Sequence, residues 1–144
     1  MEDLKEGGMD KRQLIHRSGK GTTKEISLPK LLAKAQRVFN KWIVNRDKDR
    51  GCISCGGQVN QAGHYYSQGH HSSLRFSEVN TNGQDSRCNL FLHGNLIHYR
   101  NGLLSRYSKQ ELDLLDSVGT RNPIKKWSRF ELEEIIKHYA IRND

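Results

Sequence analysis

The residues of this chain best equipped for chemistry are three cysteines, a histidine between them and the asparagine behind the last. Cys52 and Cys55 are separated by two residues and followed by Gly56 and Gly57. That spacing lets both sulfurs reach one tetrahedral ion, and the glycines permit a tight turn whose amides point at the thiolates. Cys88 lies 33 residues beyond Cys55 and can close the same site from a distant segment. A closed structural zinc site needs a fourth ligand. Asp85 stands three residues before Cys88, where a second knuckle would carry a cysteine, and its carboxylate would complete a set of three sulfurs and one oxygen. His93, His98 and water are the alternatives.

The loop pinned by these ligands carries equipment for phosphate chemistry. His64 follows a glycine and precedes two tyrosines; on a strand crossing the motif it could deprotonate a water, given a near-neutral pKa and a fixed tautomer. The competing role is a hydrogen-bonded structural or metal-ligating histidine. Asn89 directly follows Cys88, so the metal site would hold it rigidly, and its amide oxygen could ligate a hard cation or orient the base. Arg75 could clamp a phosphate with two parallel hydrogen bonds, or serve in a plain surface ion pair. His70 and His71 fit a phosphate contact, a second metal ligand or simple solvent exposure.

Positioning these groups falls to short elements. Apolar residues recur at Leu28, Leu31, Leu32, Ala35, Val38, Phe39 and Trp42 behind Ser27 and Pro29, which predicts a helix with Ser27 as its cap. Lys30, Lys34, Arg37 and Lys41 form a basic stripe on another face, either an ordinary solvated face or a track for phosphates. The cysteine knuckle is expected to be a hairpin, followed by a strand through His64, Tyr65 and Tyr66 and a loop from Ser67 to Ser73. Asn80-Thr81-Asn82-Gly83 reads as a turn. Cys88 to Phe91 is predicted to start a short helix that ends near Gly94-Asn95, and a second short element follows from Leu96 to Tyr107. Ser108 with Glu111, and Ser128 with Glu131, are capping boxes opening helices over Lys109 to Val118 and Arg129 to Ile141, with Gly119 and Pro123 bracketing the turn between them.

Composition narrows the function classes. Only 34% of the 144 residues are hydrophobic while 28% are charged, so the core is small and a structural metal is the natural reinforcement. The net charge of +8 favours a polyanionic partner such as nucleic acid. The excess is local: residues 26–50 carry seven Lys or Arg against two Asp or Glu. An odd number of cysteines is a poor disulfide framework, and their spacing reads as metal binding in a reducing compartment. No apolar run approaches 18 residues, so no membrane span is expected and the chain is read as soluble and intracellular. Residues 1–26 are expected to be a flexible arm, 27–107 the basic helix and metal-bound core, and 108–144 a helical extension.

The arrangement Cys52-x-x-Cys55-Gly56, Gly63-His64-Tyr65, Leu74-Arg75-Phe76, Asn80, Gln84, Cys88-Asn89, Gly94-Asn95 and Tyr99-Arg100 resembles the NinG family of phage recombination proteins, the Rap endonucleases. The likeness is specific from about Ser27 to Tyr107. It implies an α+β fold: a zinc-stapled ββα-metal core, similar in outline to HNH nucleases and endonuclease VII resolvases, flanked by the basic helix and the C-terminal helices. It further implies a metal-dependent DNA endonuclease acting on branched recombination intermediates such as Holliday junctions and D-loops. Such a protein would be phage- or prophage-encoded, work in the bacterial cytoplasm and act as a possible homodimer.

By that resemblance zinc is structural, on Cys52, Cys55, Asp85 and Cys88, and Mg²⁺ or Mn²⁺ is catalytic. His64 takes the general-base position, Asn80 the central structural asparagine and Asn89 the start of the metal helix, with Arg75 and His71 beside them. Lys30, Lys34, Arg37, Lys41, Arg75 and Arg100 are the expected DNA contacts. Two positions depart from the pattern: Asp85 replaces a family cysteine, and Gly63 occupies the place where HNH enzymes commonly carry an acidic or histidine ligand. The alternative reading is a non-catalytic zinc module that binds DNA junctions or RNA.

Overall fold

The computed structural model describes residues 25–143; the arm expected over residues 1–26 lies, up to residue 24, outside them. Helix α1 runs Leu28–Asp47, with Pro29 in its first turn and Ser27 extended before it, although the Ser27 hydroxyl makes no capping bond. Its Leu31, Ala35, Phe39 and Ile43 recur every four residues and form one buried stripe. Helix α4, Arg129–Arg142, packs on that stripe through Leu132 and Tyr139, and Phe76 closes the cluster. Phe39 meets the rings of Phe76 and Tyr139 edge-on, at 5.7 and 4.8 Å between centroids.

At its last residue α1 becomes polar and stays buried. Asp47 is fully enclosed and accepts hydrogen bonds from Arg46 Nε (2.7 Å) and from the Gly83 amide (2.7 Å). Burial alone would raise the pKa of this carboxyl, but the Arg46 and Gly83 bonds outweigh it and hold the group below the usual carboxylate range. Arg46 also donates to the carbonyls of Glu78 and Thr81. The helix end is thereby tied to the strand that supports the candidate site.

That strand is β2, Thr81–Gln84, paired antiparallel with β1, Gln61–His64, so that Gln61 faces Gln84 and His64 faces Thr81. Two expectations are corrected here. The strand through His64 ends at that residue, and Tyr65 and Tyr66 lie beyond it. Residues 80–83 read as a turn, yet Thr81–Gln84 form a strand that is buried at all four positions. The physical reason is that distant partners satisfy these polar side chains. Asn82 Nδ2 donates to Val79 O and to the Tyr99 hydroxyl, while its Oδ1 accepts from Tyr107. Gln84 Nε2 donates to Ser54 Oγ and Gly94 O.

Beyond β2 comes a single π turn, Arg87–Phe91, where a short helix was expected, and then α2 over Leu96–Arg106. Helix α3 spans Lys109–Arg121, and both α3 and α4 open with complete capping boxes, on Ser108 with Glu111 and Ser128 with Glu131. Gly119 does not end α3 as expected. It is buried inside the helix, and a Cβ there would sit 3.0–3.1 Å from ring atoms of Tyr66, so the glycine is a contact surface for that aromatic ring. A second cluster, Ile53, Leu74, Tyr99, Leu103, Leu112 and Leu115, holds α2 and α3 against the cysteine knuckle. The described residues form a helix-rich α+β fold with one two-stranded sheet and two small cores. Among the described residues no helix is long and apolar enough to cross a membrane.

Candidate metal centre and the His64 site

The knuckle closes on itself: the Cys52 amide donates to Gly57 O and the Gly56 amide returns to Cys52 O, both at 2.8 Å. The Ile53 amide donates to Gly83 O, which docks the loop on β2. Cys88 arrives from the π turn. The three sulfurs lie within 4.8 Å of one another, Cys52 and Cys88 buried and Cys55 exposed. Sulfurs around one tetrahedral zinc stand about 3.8 Å apart, given a Zn–S bond of about 2.3 Å, so a small closure would complete the grip.

The protonation chemistry of the cluster suits a cation. Burial would raise Cys52, but amides of Asp85, Cys55 and Ser54 donate to its sulfur and bring it below the ordinary thiol value. Burial pushes Cys88 up to about 11, with the neighbouring sulfurs adding to the rise. One thiolate thus forms readily and suppresses the next, and a divalent ion is what allows all three to ionise together. The Gly57 amide turns to Cys55 Sγ at 3.4 Å and Asn95 Nδ2 to Cys88 Sγ at 3.6 Å.

Asp85 stands beside this group and not within it. Its Oδ1 accepts from the Arg87 amide at 2.9 Å. Its Oδ2 and Cys55 Sγ approach the same face of Gly57, at 3.7 and 3.2 Å from where a Cβ would be. Its contribution in this arrangement is the backbone amide on Cys52. His93 and His98, the alternative ligands, are exposed.

His64 ends β1 with its ring half-buried and Nε2 2.9 Å from the carbonyl oxygen of Arg75. A carbonyl only accepts, so Nε2 carries the hydrogen and the lone pair sits on Nδ1. Desolvation by burial lowers the pKa of the ring, as does the nearby Arg75 charge, and the Arg75 carbonyl only partly offsets them. His64 is therefore neutral at neutral pH, in the form that accepts a proton, with its tautomer fixed.

Arg75 lies over the same corner. Its Nη1 donates to Gln36 Oε1 at 3.3 Å, its buried Nε has no partner, and among the described residues no carboxylate pairs with it. The guanidinium lines a hollow of about 380 Å³ with Ser72, Lys125, Lys126 and Trp127. Lys125 is paired with Glu131 and lies over the Trp127 ring, and Leu28, Pro29, Leu32 and Leu132 make much of the wall, so Arg75 and Lys126 are the cations this hollow offers to an anion.

Asn80 is fully buried and saturated. Its Oδ1 accepts from the Tyr66 amide, and its Nδ2 donates to Tyr66 O and Leu74 O. It fixes the loop between the strands and touches no solvent. Tyr99 performs the companion task, its hydroxyl reaching Gly63 O at 2.7 Å and Asn80 O at 3.2 Å. Asn89 donates to Gln61 Oε1 at 2.9 Å and lines a polar cleft of about 450 Å³ with Asn40, Lys41, Asn45 and Asn60. Lys41 of the basic stripe thus shares a wall with Asn89, while Lys30, Lys34 and Arg37 are exposed further along α1.

Two expected contacts sit elsewhere. Arg100 is committed to a bidentate pair with Asp116, at 2.9 and 2.8 Å, and Asp116 also takes the Tyr66 hydroxyl. His71 packs on the Tyr66 ring and its Nδ1 faces Ser67 O. Gln36 is a residue that sequence reasoning passed over: it bridges Asn40 and Arg75 from the buried side of α1, and only its four-residue step to Asn40 hinted at a partner.

Comparison with known proteins agrees with the motif. The family profile described as "Bacteriophage Lambda NinG protein" matches residues 5–143. The chain is 35% identical to protein ninG of Escherichia phage lambda over 111 residues, 75% of this chain and 53% of that one. It is 34% identical to protein ninG of Escherichia phage 933W (75% and 54% covered) and of Salmonella phage P22 (75% and 53%). It spans about half the length of these relatives. No solved structure matches. The chain belongs to the NinG family.

Proposed function

We propose that this protein cleaves phosphodiester bonds of DNA, acting on branched recombination intermediates, with His64 as general base. The observation that carries the reading is His64 held through Nε2 by the backbone carbonyl of Arg75, with the Arg75 charge near enough to lower its pKa and without a carboxylate partner among the described residues. In the hypothesised step His64 Nδ1 takes a proton from water as the water oxygen bonds to phosphorus. The ester P–O bond breaks and the leaving oxygen acquires a proton from solvent. Arg75 opposes the charge that accumulates on the phosphoryl oxygens. Lys41, beside Asn89, and Lys126, beside Arg75, are further cations for the backbone.

Zinc fits the cluster of Cys52, Cys55 and Cys88, and an ion there would be architectural, tying the knuckle to the turn that carries Asn89. The side chains around His64 do not make a cage for Mg²⁺ or Mn²⁺. Gln84 and Asn89 offer amide oxygens beside Gly63, and no second group of three His, Cys, Asp or Glu side chains converges among the described residues. The base and the phosphate clamp are the groups this chain supplies.

That same feature favours the second reading, a zinc module that binds junction DNA without cutting it. Labelled four-way junction, flap and linear duplex incubated with wild type and His64→Ala separate the two, with Mg²⁺, Mn²⁺ or EDTA present. Cutting of branched substrate by wild type alone supports the nuclease. Equal junction binding by both proteins with no cut under any condition supports the binding module.

A further inference from the structure

The π turn carries an apolar surface that packing does not explain. Phe91 is 77% exposed, Leu90 58% and Ile97 80%, and Leu92 and Leu96 are each 45% exposed beside them. Isolated exposed apolar residues are ordinary, but five within eight positions of one chain segment are a concentration of the kind that marks a binding surface. The patch is held firmly. Cys88 anchors its base, the Leu92 amide donates to Arg87 O, and the Gly94 amide donates to Cys88 O. Asn89, on the same turn, lines the polar cleft next to Lys41.

The charge around the patch selects its occupant. Between Asp85 and Glu111 the chain has no acidic residue, and Arg87, His93 and His98, all exposed, are interspersed with the apolar residues along the sequence. A second copy of the chain apposed through this face would bring together two segments that hold no acidic residue and leave Arg87 without a counter-charge. A polyanion with exposed flat apolar rings meets both properties at once, and nucleic acid bases at a discontinuity are such rings.

We propose that Phe91, with Leu90 and Ile97 beside it, is a wedge that stacks on bases made accessible at a DNA branch point. The inference rests on the branched-DNA reading and adds to it the residues that would distinguish a branch from plain duplex. Duplex offers phosphates to the lysines of α1 but no open base face to Phe91.

The test uses the full chain and a four-way junction with 2-aminopurine at the branch, beside the same probe inside linear duplex. Wild type should raise the fluorescence of the junction probe and leave the duplex probe unchanged. Phe91→Ala should abolish the rise and weaken junction binding about tenfold, the scale of one lost stack, with duplex affinity unaltered. Phe91→Trp should restore binding, and Ile97→Ser, at an equally exposed position, should give a smaller loss. A Phe91→Ala protein that binds the junction and opens the probe like wild type overturns the wedge while leaving the DNA reading intact. Wild type dimeric and Phe91→Ala monomeric by sedimentation would assign the patch to a second copy and overturn the wedge likewise. Failure of wild type to bind any DNA would remove the branched-DNA reading and the wedge with it.

Discussion

Gly63 and Gln84 occupy the same space: a Cβ on Gly63 would stand 1.8 Å from Gln84 Oε1, 2.7 Å from its Cδ and 3.0 Å from Asn89 Oδ1. Gln84 cannot yield easily, because it is fully buried and its Nε2 is held by Ser54 Oγ and Gly94 O at 2.8 Å each. Among the described residues its Oε1 has no hydrogen-bond donor, and it rests against the Gly63 backbone, a contact of the weak Cα–H···O kind. Glycine at this position is therefore a packing requirement of this chain, whatever its bearing on cation binding.

Gly63→Ala should accordingly destabilise the protein by roughly 2–3 kcal/mol, the upper part of the range for overpacking a core. Gly63→Asp should cost more and should not create a cation site. Urea midpoints for Gly63→Ala, Gln84→Ala and the double variant test the cause. If the clash is between these two residues, the double variant loses less than the sum of the singles. Strict additivity would place the strain elsewhere.

The thiol cluster leads to a second expectation. The second core consists of only six buried residues, and two of its members, Ile53 and Leu74, sit on segments without long regular structure. Holding the knuckle to the π turn through one ion replaces burial that this segment does not have. In zinc-finger peptides such ions contribute on the order of 10 kcal/mol of apparent binding energy. Zinc analysis should give one ion per chain, and Cys88→Ser should abolish it. A chelator strong enough to remove the ion should broaden or erase the thermal transition; an unchanged melt after proven zinc loss would refute the architectural role.

His64 links stability to pH. Its folded pKa lies below the ordinary value of about 6.5, mainly through desolvation. The unfolded chain then binds more protons than the folded one as the pH drops past that value, so stability is present above it and declines below it. The slope from this residue is at most about 1.4 kcal/mol per pH unit. Urea titrations between pH 7.5 and pH 5 should show the decline in wild type and a flatter profile in His64→Asn. If cleavage is found, its acid limb should lie below the usual histidine range, because the base stays unprotonated.

The legible and the illegible parts of this fold differ in the range of the interactions that decide them. Helix α1 was readable because Leu31, Ala35, Phe39 and Ile43 repeat locally, and the capping boxes of α3 and α4 are four-residue signals. The cysteine cluster was readable from spacing. Strand β2 was not, since Thr81-Asn82-Gly83-Gln84 has turn composition and owes its burial to Arg46, Tyr99 and Tyr107 far along the chain. The pairing of Arg100 with Asp116 was equally hidden, because nothing local marks Asp116 as its partner. Gln36 and the collision at Gly63 were hidden for the same reason.

Tyr99 tests how far the strand pair depends on one hydroxyl. It is fully buried, and its oxygen lies 2.7 Å from Gly63 O, 3.2 Å from Asn80 O and 3.2 Å from Asn82 Nδ2. Tyr99→Phe keeps the ring and leaves Asn82 Nδ2 and Gly63 O short of a partner, which should cost about 1–3 kcal/mol. Because Gly63 O belongs to the residue before His64, the loss should also loosen the base. Faster amide exchange at Tyr65 and Tyr66 than at α1 would register it, and uniform exchange would argue that Tyr99 acts only through packing.

Arg75 separates phosphate binding from folding. Removing an ordinary buried ion-pair partner destabilises a protein, since it strands the other charge. Arg75 has Gln36 as its side-chain partner, and desolvation already disfavours its charge. Its removal therefore strands no carboxylate among the described residues, and Arg75→Ala should shift the melting temperature little. The functional loss should be large. If the guanidinium opposes transition-state charge on phosphate, Arg75→Ala should lower kcat/KM by about 10²–10³. Binding to junction DNA should weaken and the slope of log K against log salt should fall by about one contact. Arg75→Lys should recover the salt slope, which counts charge, but little of kcat/KM, which needs the fork. Full activity in the lysine variant would reduce Arg75 to a point charge, and a large fall in melting temperature for the alanine variant would make it a structural residue.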